Sequence, residues 1–226
     1  MPRYLILRLD GPMQAWGSHT FEDFRPSSLF PTRSGLLGLL GACLGIDRSN
    51  HAGLERLASS VEFTVRADRA VRRPEVEQLI SKAAVKLSDY HTILDARKVD
   101  GSTNKNAVES RREYLFDATF TVAIGEKQNA PVTLTAIAEA LRCPCFTPVL
   151  GRRSCPITRP LFDGPPVEAS DVKAALASAL PAGGLIYAEG DLVSTQPLRI
   201  RDVPMYGRHR QFGTRQVYLH MEDPCS

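Results

Sequence analysis

The chain has 226 residues, with 28 Lys and Arg against 25 Asp and Glu, for a formal charge of +3. A hydrophobic fraction of 43% supports a packed core, and a charged fraction of 23% excludes wholesale disorder. No uncharged apolar run reaches the roughly 18 residues of a membrane span.

Arg3, Arg8 and Asp10 interrupt the N-terminal apolar stretch before a signal-peptide core forms, so the expected location is cytoplasmic, with no membrane partner. The five cysteines, Cys43, Cys143, Cys145, Cys155 and Cys225, are odd in number and lack a secretory context, which predicts reduced thiols. Cys143-Pro-Cys145 with Cys155 lacks the C-x₂-C spacing of a zinc knuckle and has no second pair. The thiols read as small buried hydrophobes, and no metal or cofactor is expected.

Tyr4–Leu9 is compact, apolar and β-prone, and Gly11-Pro12 ends it. A loop runs to Pro31. Thr32 or Ser34 then caps a helix rich in Leu, whose glycines at 35, 38 and 41 call for close approach by a backbone, a sheet or a ligand. A short helix around Leu54–Ala58 precedes Val61–Ala67, which alternates with period two as a half-buried strand does.

From about Asp68 to Arg112 the pattern turns polar and reads as a projecting hairpin or partly mobile insertion. Tyr114–Ile124 reads as one strand and Leu134–Leu141 as a helix. Ser170 is expected to cap a helix through Leu180, with short strands at Leu185–Ala188, Leu198–Ile200 and Gln216–Met221. The order through residue 145 suits an α+β, ferredoxin-like unit over 1–145, followed by a small β-rich extension over 146–226.

Neither G-x-G-x-x-G, a P-loop nor G-x-S-x-G is present. His91 beside Tyr90, with Lys86 nearby, is the one candidate acid–base group for attack by an RNA 2′-hydroxyl. Positive charge is local. Leu141–Leu161 holds Arg142, Arg152, Arg153 and Arg159 and no acid, and Arg199–Arg215 holds five arginines, Arg210 among them, against Asp202. Arg111 and Arg112 beside Tyr114 form a third cluster, and Gln14, Trp16, Arg25 and Arg33 a fourth. Forked guanidiniums suit phosphates, and aromatic rings stack on unpaired bases.

The blocks Tyr4–Leu9, Gly11–Gly17, Phe30–Gly45, Asp89–Thr92, Arg112–Leu115 and Leu150–Pro156 follow one another in an order that resembles the CasD family. Its members are subunits of the type I-E CRISPR Cascade complex, within the RAMP superfamily. The likeness covers nearly the whole chain.

It implies an RRM-like ferredoxin fold with a β-hairpin thumb, matching the insertion at about 78–112. It also implies a non-catalytic subunit that holds the 5′ handle of the CRISPR RNA, caps the backbone subunits and touches the large PAM-recognising subunit. Carried onto this chain, the implied RNA contacts are Gln14, Trp16, Arg25, Arg33, Ser34, Arg111, Arg112, Arg152, Arg153, Ser154 and Arg210. In a related subtype the corresponding subunit is itself the nuclease. The alternative is therefore a metal-independent endoribonuclease of repeat RNA using Tyr90, His91 and Lys86. A scaffold that touches only protein is a third reading.

Overall fold

The computed structural model describes residues 1–18, 23–68, 70–72, 79–81, 85–98, 100–179, 183–190, 192, 196–207 and 211–222. Strand β1 (Arg3–Asp10) turns Leu5, Leu7 and Leu9 to one buried face and Ile6 to the other, the period of two that a sheet buried on both faces demands. Short strands β2 (Met13–Gln14), β3 (Trp16–Gly17), β4 (Phe24–Arg25) and β5 (Ser27–Ser28) follow, and β3 pairs with β5.

Helix α1 (Arg33–Cys43) starts at Thr32, whose hydroxyl accepts from the Gly35 N–H, and stops before Gly45 at φ +69. Helix α2 (His51–Ser60) leads directly into β6 (Val61–Asp68). The strands β7 (Ala70–Arg72) and β8 (Leu79–Ser81) pair with each other.

The strand expected over Tyr114–Ile124 is two strands. Asp117 adopts φ +55, a left-handed conformation that Asp tolerates. It separates β10 (Val108–Phe116) from β11 (Thr119–Glu126). β10 pairs antiparallel with β9 (Val85–Ile93) to make a long hairpin. On its other edge β10 carries β2 and, parallel, β4. β9 is exposed along nearly all its length.

Helix α3 (Leu134–Arg142), strand β12 (Val167–Glu168) and helix α4 (Val172–Ala177) come next. The α4 cap is Asp171, not Ser170, because the Asp171 carboxylate accepts from the Ala174 N–H at 2.8 Å. The chain continues through β13 (Gly184–Ala188), β14 (Gln196–Met205) and β15 (Gln211–Glu222).

Seven strands form the main sheet, in the order β12-β1-β11-β6-β13-β15-β14, with every neighbouring pair antiparallel. The fold is therefore mixed and strand-rich, with few helices. α1, α2 and α3 cover one face of the sheet through Leu36, Leu40, Leu57 and Ile137. α4 covers the other through Leu176, against Ala123 and Ile186. Under α4, buried Arg66 pairs with Asp68 at 2.8 Å and donates to Leu176 O and Ala179 O at the helix C-terminus. Among the described residues no helix is long and apolar enough to cross a membrane.

One polar cluster fixes where α1 lies against the C-terminal strands. Arg33 Nη1 donates to both Glu189 carboxylate oxygens at 2.6 Å, and its Nη2 to Ala58 O at 2.7 Å. Arg215 donates from Nε to Asp202 Oδ1 at 2.6 Å and from Nη1 to Glu189 Oε1 at 3.1 Å. Asp202 Oδ2 accepts from the Arg33 backbone N–H at 2.7 Å, placing a negative charge at the positive end of α1. Glu189 Oε2 also accepts from the Phe63 N–H in β6.

Two cations and two anions thus neutralise each other away from water. Removing one leaves a buried charge uncompensated, which costs about 3–5 kcal/mol. Glu189→Ala is expected to lower stability by about that amount, read as a fall in the urea midpoint. An unchanged midpoint would remove the cluster from the account.

Candidate nucleic-acid interface

The same cluster fixes two walls of a cleft of about 1020 Å³. One wall is α1, which presents Ser34, Gly35, Gly38, Leu39 and Ala42. Opposite elements supply Arg25 from β4, Arg112 from β10, the turn at 147–153, Arg201 from β14 and Gln211 and Phe212 from β15. Arg48, just after α1, completes the rim. Arg25, Arg48, Arg112, Arg152, Arg153 and Arg201 line the cleft, and no acidic residue does so among the described residues. None of these arginines makes an ion pair among the described residues, though Arg152 donates to two backbone carbonyls, Arg201 Nε to Phe212 O at 2.9 Å and Arg112 Nε to Ser110 Oγ at 3.0 Å.

Arg112 and Arg25 are register partners across the parallel β10–β4 pair, so two of these cations enter the cleft from neighbouring strands.

The turn that carries Arg152 and Arg153 is rigid. Gly151 has φ +89, and a Cβ there would lie 1.8 Å from Ala15 O. The Ala15 N–H donates to Leu150 O at 3.0 Å, so the close approach that glycine permits is to backbone. Arg152 donates to Glu113 O at 3.1 Å and Arg25 O at 3.0 Å and lies 4.8 Å over the Tyr114 ring. It ties the turn to β4 and β10 while bordering the cleft. Arg153 is exposed.

The cleft thus gathers Arg25, Ser34, Arg112, Arg152 and Arg153 from the sequence expectations. Others are placed differently. Gln14 is buried, donating to Leu9 O at 3.2 Å and Ala118 O at 2.7 Å, and Trp16 is buried with its indole N–H on Gln14 Oε1 at 3.0 Å. The Trp16 ring packs against Gly35, where an added Cβ would stand 2.8 Å from it. Both residues are core and offer no surface for a base. Arg33 is buried in the ion cluster. Arg111 is exposed but points to the opposite face of β10 from Arg112, as adjacent strand residues do. The Ser154 hydroxyl lies 3.5 Å from Tyr114 OH, outside the cleft lining. Arg210 lies outside the described residues.

The three expected acid–base groups are also divided. On β9, Lys86 and Tyr90 share one face and His91 takes the other. Lys86 Nζ pairs with Glu113 Oε2 at 2.6 Å. Burial pushes the Glu113 carboxyl up, but Lys86, the Ser27 N–H and Arg152 together hold it below its ordinary value. A hydrogen bond to Glu109 pushes the Tyr90 phenol up. His91 Nε2 sits 2.9 Å from Asp89 Oδ2 and 3.3 Å from Tyr114 OH. Cys43 and Cys155 are buried, and burial pushes the Cys43 thiol up to about 11. Cys143 and Cys145 are exposed, contrary to the expectation of buried thiols. Cys225 lies outside the described residues.

Residues 4–218 match the family described as CRISPR-associated protein (Cas_Cas5). The chain belongs to the CRISPR-associated Cas5 family. It is 47% identical over 225 residues to the CRISPR system Cascade subunit CasD of Escherichia coli (strain K12), covering 97% of this chain and 96% of that protein. It superposes with a TM-score of 0.73 on a chain of a CRISPR RNA-guided surveillance complex, at 28% identity over 97% of this chain and 90% of the other. A second solved Cas protein matches with a TM-score of 0.64 at 27% identity, covering 98% of this chain and 99% of that one.

Two cleft arginines of this Cas5-family chain were not among the expected RNA contacts. Arg201 lay in a basic cluster, and its alternation with Asp202 on β14 could have separated a cleft arginine from a core acid. Arg48, in Asp47-Arg48-Ser49, carries no sequence signal that distinguishes it from any surface arginine.

Proposed function

We propose that this chain is a non-catalytic, RNA-binding subunit of a cytoplasmic Cascade surveillance complex, and that its arginine cleft holds the 5′ handle of the CRISPR RNA. The observation that carries the reading is a cleft lined by six arginines and no acid among the described residues. A polyanion matches it, and guanidinium forks suit phosphate oxygens. The near identity in length with CasD supports placement in such a complex.

On this reading the chain caps the backbone subunits and contacts the large PAM-recognising subunit. The strand order β12-β1-β11-β6, with α1, α2 and α3 in the connections, supports a ferredoxin-like core made of the elements in 1–145 and completed by β12 at Val167–Glu168. On this reading the hairpin β9–β10 is its thumb, and the rest of 146–226 is the extension packed on it.

The test uses the complex purified after co-expression with its neighbours. If about four phosphates are neutralised, log affinity for the RNA falls with log salt at a slope of roughly −3. Arg48→Ala and Arg153→Ala, at exposed positions, are each expected to reduce that slope by about 0.7 without changing Tm. A slope near zero would overturn the electrostatic reading.

The strand geometry also predicts that repeat RNA incubated with the chain in EDTA stays intact. Cleavage that disappears in His91→Ala would assign endoribonuclease activity instead.

A further inference from the structure

Glycine is the poorest helix former after proline, and inside a strand it weakens pairing or marks a place where something approaches closely. Each glycine inside a helix or strand therefore calls for a reason. For four of the eight described ones a crowding neighbour inside the protein supplies it. A Cβ on Gly35 would stand 2.8 Å from the Trp16 ring, one on Gly53 2.8 Å from Asn50, and one on Gly184 2.1 Å from Ala67 O. Gly41 would meet Leu54 at 3.3 Å. Gly125 and Gly213 have room for a Cβ, with nearest neighbours at 3.5 and 3.8 Å, and lie outside the cleft lining.

Two have no such neighbour. A Cβ on Gly38, in the middle of α1, or on Gly17, in β3, meets nothing within 4 Å. Neither has a positive φ, so backbone conformation does not require glycine there. Both line the arginine cleft.

We propose that Gly17 and Gly38 are close-approach residues for single-stranded RNA, with the sugar-and-base side of a nucleotide lying directly on the bare backbone of α1 and β3 while its phosphates meet the arginine rim. This rests on the RNA-binding reading of the cleft and adds where a nucleotide lies in it.

The chemistry favours a nucleotide in that orientation. The floor beside Gly38 is apolar, with Leu39, Ala42 and Val149 in the same lining, and suits a ring or a sugar face. Two N–H groups in the first turn of α1 are taken within the protein, Arg33 by Asp202 and Gly35 by Thr32. The guanidiniums are thus the main charged donors for phosphates in the cleft.

The test compares Gly38→Ala, Gly38→Leu and Gly17→Thr with Arg153→Ala in the co-expressed complex. It reads Tm and the affinity for fluorescein-labelled single-stranded CRISPR RNA. Gly38→Ala is expected to raise Tm by roughly 2–4 °C, because the helix gains and nothing clashes. Gly38→Leu and Gly17→Thr should keep the fold and weaken RNA binding by at least about tenfold, as overfilled packing does. If both bind RNA like wild type while Arg153→Ala weakens it, this inference falls and the RNA-binding reading stands. If the wild-type complex shows no salt-dependent binding, both fall. A Gly38→Ala protein of lower Tm would mean that the α1 face is packed internally, which also overturns the inference. Should Gly38→Leu fail to fold, Gly17→Thr decides by the same measure.

Discussion

The mutual neutralisation of Arg33, Glu189, Arg215 and Asp202 is the constraint on which the cleft depends. These four side chains come from α1, the segment after β13, β15 and β14, and they also reach the backbone of β6 and the end of α2. A buried ion pair gives little net stability, since desolvation opposes the attraction, but it is costly to mispair. Its value here is geometric. It admits one placement of the C-terminal hairpin against α1, and that placement brings Arg201 and Phe212 across from Gly38 and Leu39 as parts of one lining.

The arginines consequently divide into two kinds. Arg33, Arg66 and Arg215 are spent inside the protein on carboxylates and carbonyls. Arg25, Arg48, Arg112 and Arg153 face the cleft, while Arg152 and Arg201 do both, holding backbone carbonyls while bordering the open space. A formal charge of +3 therefore conceals a strongly polarised molecule. The acids consumed in neutralising the core arginines are absent from the cleft lining, and the field there is set by the arginines that remain.

Much of the scaffold was legible in the sequence because local chemistry dictates it. The compact β-prone run Tyr4–Leu9, the alternation in Val61–Ala67, and Thr32 ahead of a leucine-rich run each correspond to an observed element. So was part of the cleft, since Gly151-Arg152-Arg153 announces a tight, basic turn. The errors about the cleft share one cause. Residue type reveals neither the face of the chain on which a side chain stands nor the distant group it meets. Trp16 looks like a stacking platform until Gly35 is seen against its ring, and Arg33 looks like a phosphate ligand until Glu189 and Asp202 are brought to it from far downstream. Arg48 is the converse, an unremarked surface arginine made significant by where α1 ends.

The most direct test of the cleft as the RNA site is photocrosslinking in the assembled complex. CRISPR RNA carrying 4-thiouridine in its 5′ handle would be irradiated and the crosslinked peptides of this chain mapped. Crosslinks are predicted in the segments that line the cleft, around Gly17, Gly38 to Arg48 and Thr147 to Arg153. Crosslinks confined to surfaces outside the cleft, or none to this chain in a complex that retains its RNA, would contradict the account.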